Sequence, residues 1–185
     1  QYNLTYMHMA RTNRDQPLIA TKDSLLRFNA ELANKYKAGI GLKYLDSYIG
    51  NKIIEQSIQS FLEKNKIQQT STKTFIEELK RNTSKNIDWF TEDYLGTRGN
   101  IDFKITKVKA SKDSIKVTIK NKHQNNMPIS LFSLIEDSIA SKVWIDGVSA
   151  KETFTIANNK ATKLSLNYDQ IIPEYNLRDN WKSLK

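Results

Sequence analysis

Apolar residues in the first half of the chain recur every three or four positions, a spacing typical of amphipathic helices. Ala38, Leu42, Leu45 and Ile49 form the clearest stripe, and Gly50 follows it as a natural helix terminator. Core packing between helices explains such stripes without any binding role. Similar stripes predict further helices over residues 1–11, 53–62, 71–79 and 88–95.

Polar residues indicate where several of these helices begin. Ser71 or Thr72 is predicted to cap the helix over 71–79, because a side-chain hydroxyl can accept a bond from a free amide of the first turn. Asp88 is predicted to cap the last, short helix in the same way. Residues 13–23 contain Pro17 and predict a loop.

In the second half, apolar and polar residues alternate, which indicates half-buried strands. Ile101–Ile105 and Ile115–Lys120 show this pattern, with Ala110–Asp113 as a hairpin loop between them. Short strands with frequent turns favour an antiparallel sandwich. Further strands are predicted at 129–135, 143–146, 154–156 and 164–168, with turns at Asp146-Gly147 and Asn158-Asn159.

The pattern changes at the turn-rich junction Gly96-Thr97-Arg98-Gly99-Asn100. We therefore predict an α+β fold, in which an N-terminal helical bundle segment is followed by a C-terminal antiparallel β-sandwich. The helical segment is predicted to span 1–97 and the sandwich-like domain 98–185.

The residues that usually carry catalysis are scarce. The 185-residue chain has no cysteine, which excludes disulfides, thiolate metal sites and cysteine nucleophiles. His8 and His123 are the two histidines, and neither belongs to an H-E-x-x-H zinc motif. Phosphate-binding glycine loops and a G-x-S-x-G turn are also absent, and Gly39-Ile-Gly41 is better explained by close helix packing. The residues by themselves predict no active site, no cofactor site and no metal site within this chain.

The formal net charge of +9 is typical of proteins that bind nucleic acid or another anionic surface. An alternative function is therefore a standalone basic binding module for nucleic acid or an anionic glycan. Aromatic residues do not interleave with the basic ones in the spacing of an RNA-stacking sheet. A solvated sheet face that resists aggregation explains the same lysines. They stand at 104, 107, 109, 112, 116, 120 and 122.

Several short motifs follow one another along the chain, at Arg14–Leu18, Lys35–Gly39, Leu42–Gly50, Phe75–Leu79, Ile87–Phe90, Asn100–Ile105 and Asp169–Asn180. Taken in order, they resemble the downstream part of the aminopeptidase-N-type zinc metallopeptidases, the gluzincins, and in particular bacterial members such as those of Bacteroidetes. In that family a tyrosine-x-lysine-glycine motif opens a helix that ends in leucine-glycine. A helical bundle with an aspartate-tryptophan-phenylalanine signature and a β-domain follow.

The resemblance implies that this chain is the C-terminal part of a longer protein. The family's H-E-x-x-H motif and third zinc ligand precede the matched region, so zinc is expected in the parent protein and no cofactor in this chain. The expected partners are the missing N-terminal catalytic portion and, through it, a peptide substrate. Nucleic acid and direct membrane contact are not expected, and a bacterial envelope or periplasmic location fits the resemblance.

One catalytic element of the family falls within the matched region. Its motif tyrosine donates a hydrogen bond to the developing oxyanion, and Tyr36 is the candidate here. Counting back from Gly50 without a gap instead places Lys35 at that position, and one residue turns a side chain by about 100° on a helix. Trp89-Phe90 and Trp144 are expected to be either core residues or contacts left bare by a missing domain.

Overall fold

A computed structural model describes residues 2–12, 14–50, 52–98 and 100–184 of the chain. Helices occupy its first half and two antiparallel sheets its second half, which confirms the predicted α+β class. Gln1, Asn13 and Gly99, which fall in the predicted first helix, loop and junction, lie outside the described residues. The predicted division of the chain at residue 97 stays a prediction.

The helices follow the predicted order. Their bounds are α1 Tyr2–Arg11, α2 Asn34–Ile49, α3 Ile53–Lys64 and α4 Thr72–Asn82. A 3₁₀ turn at Lys22–Ser24 and π-helical turns at Asn29–Ala33 and Phe90–Leu95 complete the helical half.

Local chemistry explains the end of α2 and the start of α4. Gly50 has a φ of +67°, which glycine adopts without steric cost, and α2 ends at the residue before it. Ser71 rather than Thr72 caps α4, because its Oγ accepts a hydrogen bond from the Thr74 amide at 3.2 Å. The prediction for Asp88 is wrong: the N-cap of the last turn is Trp89, without a side-chain bond, and the Asp88 carboxylate pairs with Lys80 instead.

The strands form two sheets. The three-stranded sheet has the order β1-β2-β5, and the four-stranded sheet has the order β4-β3-β6-β7. The inward side chains of both sheets belong to one hydrophobic cluster, as in a sandwich. The strands are β1 Phe103–Ala110, β2 Ser114–Asn121, β3 Ile129–Ile135, β4 Ser138–Ile145, β5 Lys151–Ala157, β6 Lys163–Leu166 and β7 Trp181–Ser183.

Several strands differ from the prediction. β1 runs over Phe103–Ala110 rather than 101–105, and β5 runs over Lys151–Ala157 rather than 154–156. β4 starts at Ser138, five residues before the predicted start, because its first half is an exposed strand without apolar alternation. β6 stops at Leu166, since Asn167 has a φ of 47° and turns the chain away. β7 was not predicted at all. The turn at Asp146-Gly147 is confirmed, and it carries the chain from β4 into the other sheet rather than into a hairpin.

The main core joins helices and sheets. One cluster contains Tyr44 of α2, Leu79 of α4 and Val117 and Leu131 of the sheets. A smaller cluster of Tyr6, Ala10 and Ile40 packs α1 against α2. Among the described residues, no helix has the length and apolar character needed to cross a bilayer.

Candidate functional site

The start of α2 carries the candidate catalytic residues on different faces of the helix. Lys35 is exposed, Tyr36 is half-buried and Lys37 is fully buried. This order follows from the rotation of about 100° between consecutive helical residues. Tyr36 follows the π-helical turn Asn29–Ala33 within one helical turn. Such turns often occur at functional sites.

The Lys37 ammonium connects α2 by hydrogen bonds to two segments that are distant in sequence. It donates hydrogen bonds to the carbonyl oxygens of Gln16 at 3.2 Å, Thr97 at 3.2 Å and Arg98 at 2.8 Å. Three acceptors match the three donors of an ammonium group, which offsets the cost of burying its charge. Burial lowers the pKa of Lys37 to about 8, although the neighbouring Asp15 opposes this shift.

Asp15 is the ion-pair partner of Lys37. Its Oδ2 lies 3.9 Å from Lys37 Nζ, and both side chains are almost completely buried. Within the described chain, neither carboxylate oxygen of Asp15 has a hydrogen-bond partner. Burial raises the pKa of Asp15, and the positive charges of Lys37 and Arg98 counteract part of that rise.

Two tyrosine rings lie near the Lys37 ammonium. The rings of Tyr6 and Tyr94 have their centroids 6.0 and 5.9 Å from Lys37 Nζ. The Tyr94 hydroxyl donates a hydrogen bond to the Lys37 carbonyl oxygen at 2.8 Å. A Cβ on Gly41 would lie 2.1 Å from Cε1 of Tyr94, so this glycine permits the close packing expected of it. Gly39 faces open space and has no such role.

A concave site, separate from the Asp15–Lys37 pair, lies where the helices meet the sheets. Its cavity of about 540 Å³ has an aromatic wall of Tyr48 and Trp89 and a polar rim that includes Lys85, Glu92 and Asp146. Lys85 Nζ lies 4.3 Å from the centroid of the Tyr48 ring, a cation–π distance. Burial and the Asp146 carboxylate raise the pKa of Tyr48.

Aromatic side chains also hold the two halves together. Trp144 stacks on Tyr44 with ring centroids 6.0 Å apart, and its Nε1 donates to the Ser47 carbonyl oxygen at 3.2 Å. The Tyr44 hydroxyl donates to the Pro128 carbonyl oxygen. Trp89 and Phe90 are buried in the same core. Trp89 and Phe90 are therefore core residues, and Trp144 is half-buried and packs against the same core.

The two histidines do not assemble a metal site. His8 belongs to α1, and His123 follows β2 and packs edge-to-face against the Tyr175 ring at 5.6 Å. Among the residues that the structure describes, no group of three or more histidine, aspartate or glutamate side chains is placed to hold a metal ion. The donor set of the described residues does not fit a zinc ion.

Sequence reasoning did not identify the buried Asp15–Lys37 pair or the Tyr48–Trp89 cavity. The acceptors of Lys37 are main-chain carbonyls, which leave no mark on an amino-acid sequence. The cavity is built from residues of both halves, and no local motif signals it.

Comparison with known proteins finds similarity at the level of structure. No family model matches the chain, and no curated protein matches it. Among solved structures, it is similar to Legionella pneumophila aminopeptidase A in complex with aspartic acid, with a TM-score of 0.63 and 16% sequence identity. The likeness covers 75% of this chain and 17% of that chain, so this chain spans less than a fifth of the aminopeptidase. At this identity it shows that the fold resembles part of an aminopeptidase.

Proposed function

We propose that this chain is the C-terminal portion of a zinc aminopeptidase-like protein and is not catalytic by itself. The likeness to Legionella aminopeptidase A carries the proposal, because it extends over 75% of this chain and over a small part of the aminopeptidase. The succession of helices and antiparallel sheets, together with the order of the short sequence motifs, supports it.

In this proposal, the helical half flanks the substrate cleft and the sheets serve for packing or interaction. The partner is the catalytic portion that precedes this chain in the parent protein. That portion supplies the zinc ligands and the general base, and it brings the peptide substrate to the helices.

Tyr36 is the one residue of this chain to which we assign a catalytic role. A tyrosine hydroxyl aimed at the carbonyl oxygen of the scissile bond would donate a hydrogen bond as negative charge develops there. Its half-buried position near the start of α2 supports this role, because the buried Lys37 next to it anchors this part of the helix to two other segments. Lys35, the alternative, is exposed on the same turn.

The test is a pair of substitutions in the full-length protein that contains this chain, assayed on aminoacyl arylamides. Tyr36→Phe is expected to lower kcat about 100-fold or more, as loss of one oxyanion donor does, with little change in KM. Tyr168→Phe is the matched control, because Tyr168 lies beyond β6 on the far half of the chain. We expect it to leave kcat unchanged.

Other outcomes would contradict specific parts of the proposal. If Lys35→Gln lowers kcat and Tyr36→Phe does not, Lys35 occupies the functional position and the assignment of Tyr36 is wrong. If the 185-residue chain alone binds zinc at a 1:1 ratio and cleaves the arylamides, the non-catalytic role is wrong. If the full-length protein has no peptidase activity with zinc, the aminopeptidase proposal itself fails.

A further inference from the structure

The outer face of the three-stranded sheet carries a concentrated positive charge. We call this surface the lysine face and define it by Lys104, Lys107, Lys109, Lys116, Lys120 and Lys151. Because successive side chains of a strand point to alternate faces of the sheet, these lysines lie on the face away from the core, and the apolar residues between them lie on the face toward it. Glu152 is the one acidic residue within β1, β2 and β5, and it is paired in register with the buried Ile119 on the inner side.

The register places like charges directly opposite one another. Lys104 pairs with Lys120, which in turn pairs with Lys151 across the sheet, and Lys109 pairs with Lys116. Neighbouring strands are about 4.8 Å apart, and directly opposed like charges destabilise a sheet.

Intramolecular partners do not relieve this repulsion. No ion pair involves any lysine of the lysine face within the described chain. Lys122, in contrast, lies just beyond β2 and binds Asp102 at 3.0 Å and Asp179 at 2.9 Å. An external polyanion would supply the missing counter-charge.

The remaining side chains of the face narrow the choice of polyanion. Thr118, Thr153 and Thr155 stand between the lysines, and the Thr118 and Thr153 hydroxyls lie 2.8 Å apart. The outward positions carry no aromatic side chain for base stacking, which single-stranded nucleic acids use. They also carry no large apolar side chain to enter a membrane.

We infer that the lysine face binds an acidic polysaccharide, with lysines contacting its sulfate or carboxylate groups and threonine hydroxyls contacting its sugar hydroxyls. The surface is about 10 Å wide and 25 Å long, given three strands of seven or eight residues. This length accommodates several sugar units of an extended chain. The inference does not rest on the proposed function, since the lysine face lies wholly on the β-half and involves neither Tyr36 nor the helices.

The experiment measures binding of the 185-residue chain to fluorescein-labelled dextran sulfate at 50 and 200 mM NaCl, with neutral dextran as the blank. A triple variant removes one row of the face: Lys104→Gln, Lys120→Gln and Lys151→Gln. The matched control removes the same charge from exposed helical-half positions: Lys43→Gln, Lys66→Gln and Lys73→Gln. Both variants have the same net charge, so only the location of the lysines differs.

We expect the face variant to bind at least about tenfold more weakly at 50 mM NaCl, and the control to bind within about twofold of the original chain. The slope of log affinity against log salt should be less steep by about 2 in the face variant, because a variant that makes fewer lysine contacts releases fewer counterions on binding. The face variant removes lysines that repel each other on the sheet's outer face, and the control variant changes exposed residues of the helical half, so both variants are expected to fold. Far-UV circular dichroism checks this.

Three results would overturn the inference. The first is that the face variant and the control variant bind dextran sulfate equally weakly. The second is that the chain does not bind dextran sulfate at 50 mM NaCl. The third is that it binds single-stranded DNA or phosphatidylserine vesicles more tightly than dextran sulfate. If the triple variant does not fold, Lys107→Gln with Lys109→Gln is compared with Lys66→Gln and Lys73→Gln, and the same expectations apply.

Discussion

Glu174 is a buried acid whose proton affinity links folding to pH. Its oxygens accept hydrogen bonds from the Phe103 amide at 3.0 Å and from Asn180 Nδ2 at 2.7 Å. Burial nevertheless raises its pKa from 4.5 to about 7. Because the folded chain binds this proton more tightly than the unfolded chain, the stabilisation is full below about pH 4.5 and is lost as the pH rises through 7.

We therefore expect the free energy of unfolding to fall between pH 5 and 8 by more in the original chain than in Glu174→Gln, which cannot titrate. Urea denaturation at half-unit pH steps measures the difference. Glu136→Gln, at an exposed turn position between β3 and β4, is the control and should keep the original slope. An equal slope in Glu174→Gln would show that another group causes the dependence.

The sequence does not predict which charged residues are buried, because charged residues are usually exposed. Lysine and glutamate are rarely fully buried, so a pattern of residue types places Lys37 and Glu174 on the surface by default. Their burial depends on partners that are distant in sequence: Lys37 reaches carbonyls of residues 97 and 98, and Glu174 reaches the amide of Phe103. Tyr36 was selected by resemblance alone, and its catalytic role stays a prediction.

At the scale of elements, α2 packs closely against the last helical turn through a glycine. Gly41→Ala would bring a Cβ to within 2.1 Å of the buried Tyr94 ring, so ring or helix must shift. We expect a loss of about 1–3 kcal/mol in the free energy of unfolding, as for other overpacked cores. Thermal or urea denaturation measures it.

Gly39→Ala is the matched control on the same helix. No atom lies within 4 Å of its added Cβ, and alanine favours a helix interior over glycine. We expect it to stabilise the chain by about 0.5–1 kcal/mol. Equal effects of the two substitutions would mean that Gly41 does not determine the spacing between α2 and the Phe90–Leu95 turn.

The helices and strands that the sequence predicted are those that are buried on one face, because burial of one face gives the apolar residues a regular spacing. α4 and β2 show this clearly, with apolar residues at helical spacing and in strict alternation. The first half of β4 lies at an exposed sheet edge, where hydrogen bonding to β3 rather than burial makes the strand. β7 has three exposed residues and pairs only with β6, so it offers no pattern to read.

At the scale of the whole molecule, Trp144 links the halves because it contacts both Tyr44 and Tyr48 of α2. Since helices and sheets share one core, we expect a single unfolding transition, with coincident circular dichroism and tryptophan fluorescence curves. Trp144→Ala should lower the free energy of unfolding by about 2–3 kcal/mol, somewhat less than for a fully buried tryptophan.

Trp181→Ala is the control, because Trp181 is 49% exposed on the edge strand β7. Its expected cost is below about 1 kcal/mol. If the helical signal is lost at a lower urea concentration than the tryptophan signal, the halves unfold separately and the shared core does not couple them.

The contact of Tyr44 with Trp144 across the junction also limits which segments of such a protein can be exchanged in evolution. A gene rearrangement that cut the chain near residue 97 would leave the helices without Trp144 and the sheets without Tyr44 and Tyr48, and it would expose aromatic rings on both products. Recombinants of that kind would be prone to aggregation and would be removed by selection. We therefore expect the helical and β-halves to occur together, in this order, in related proteins, and exchange of segments in evolution to occur outside the pair.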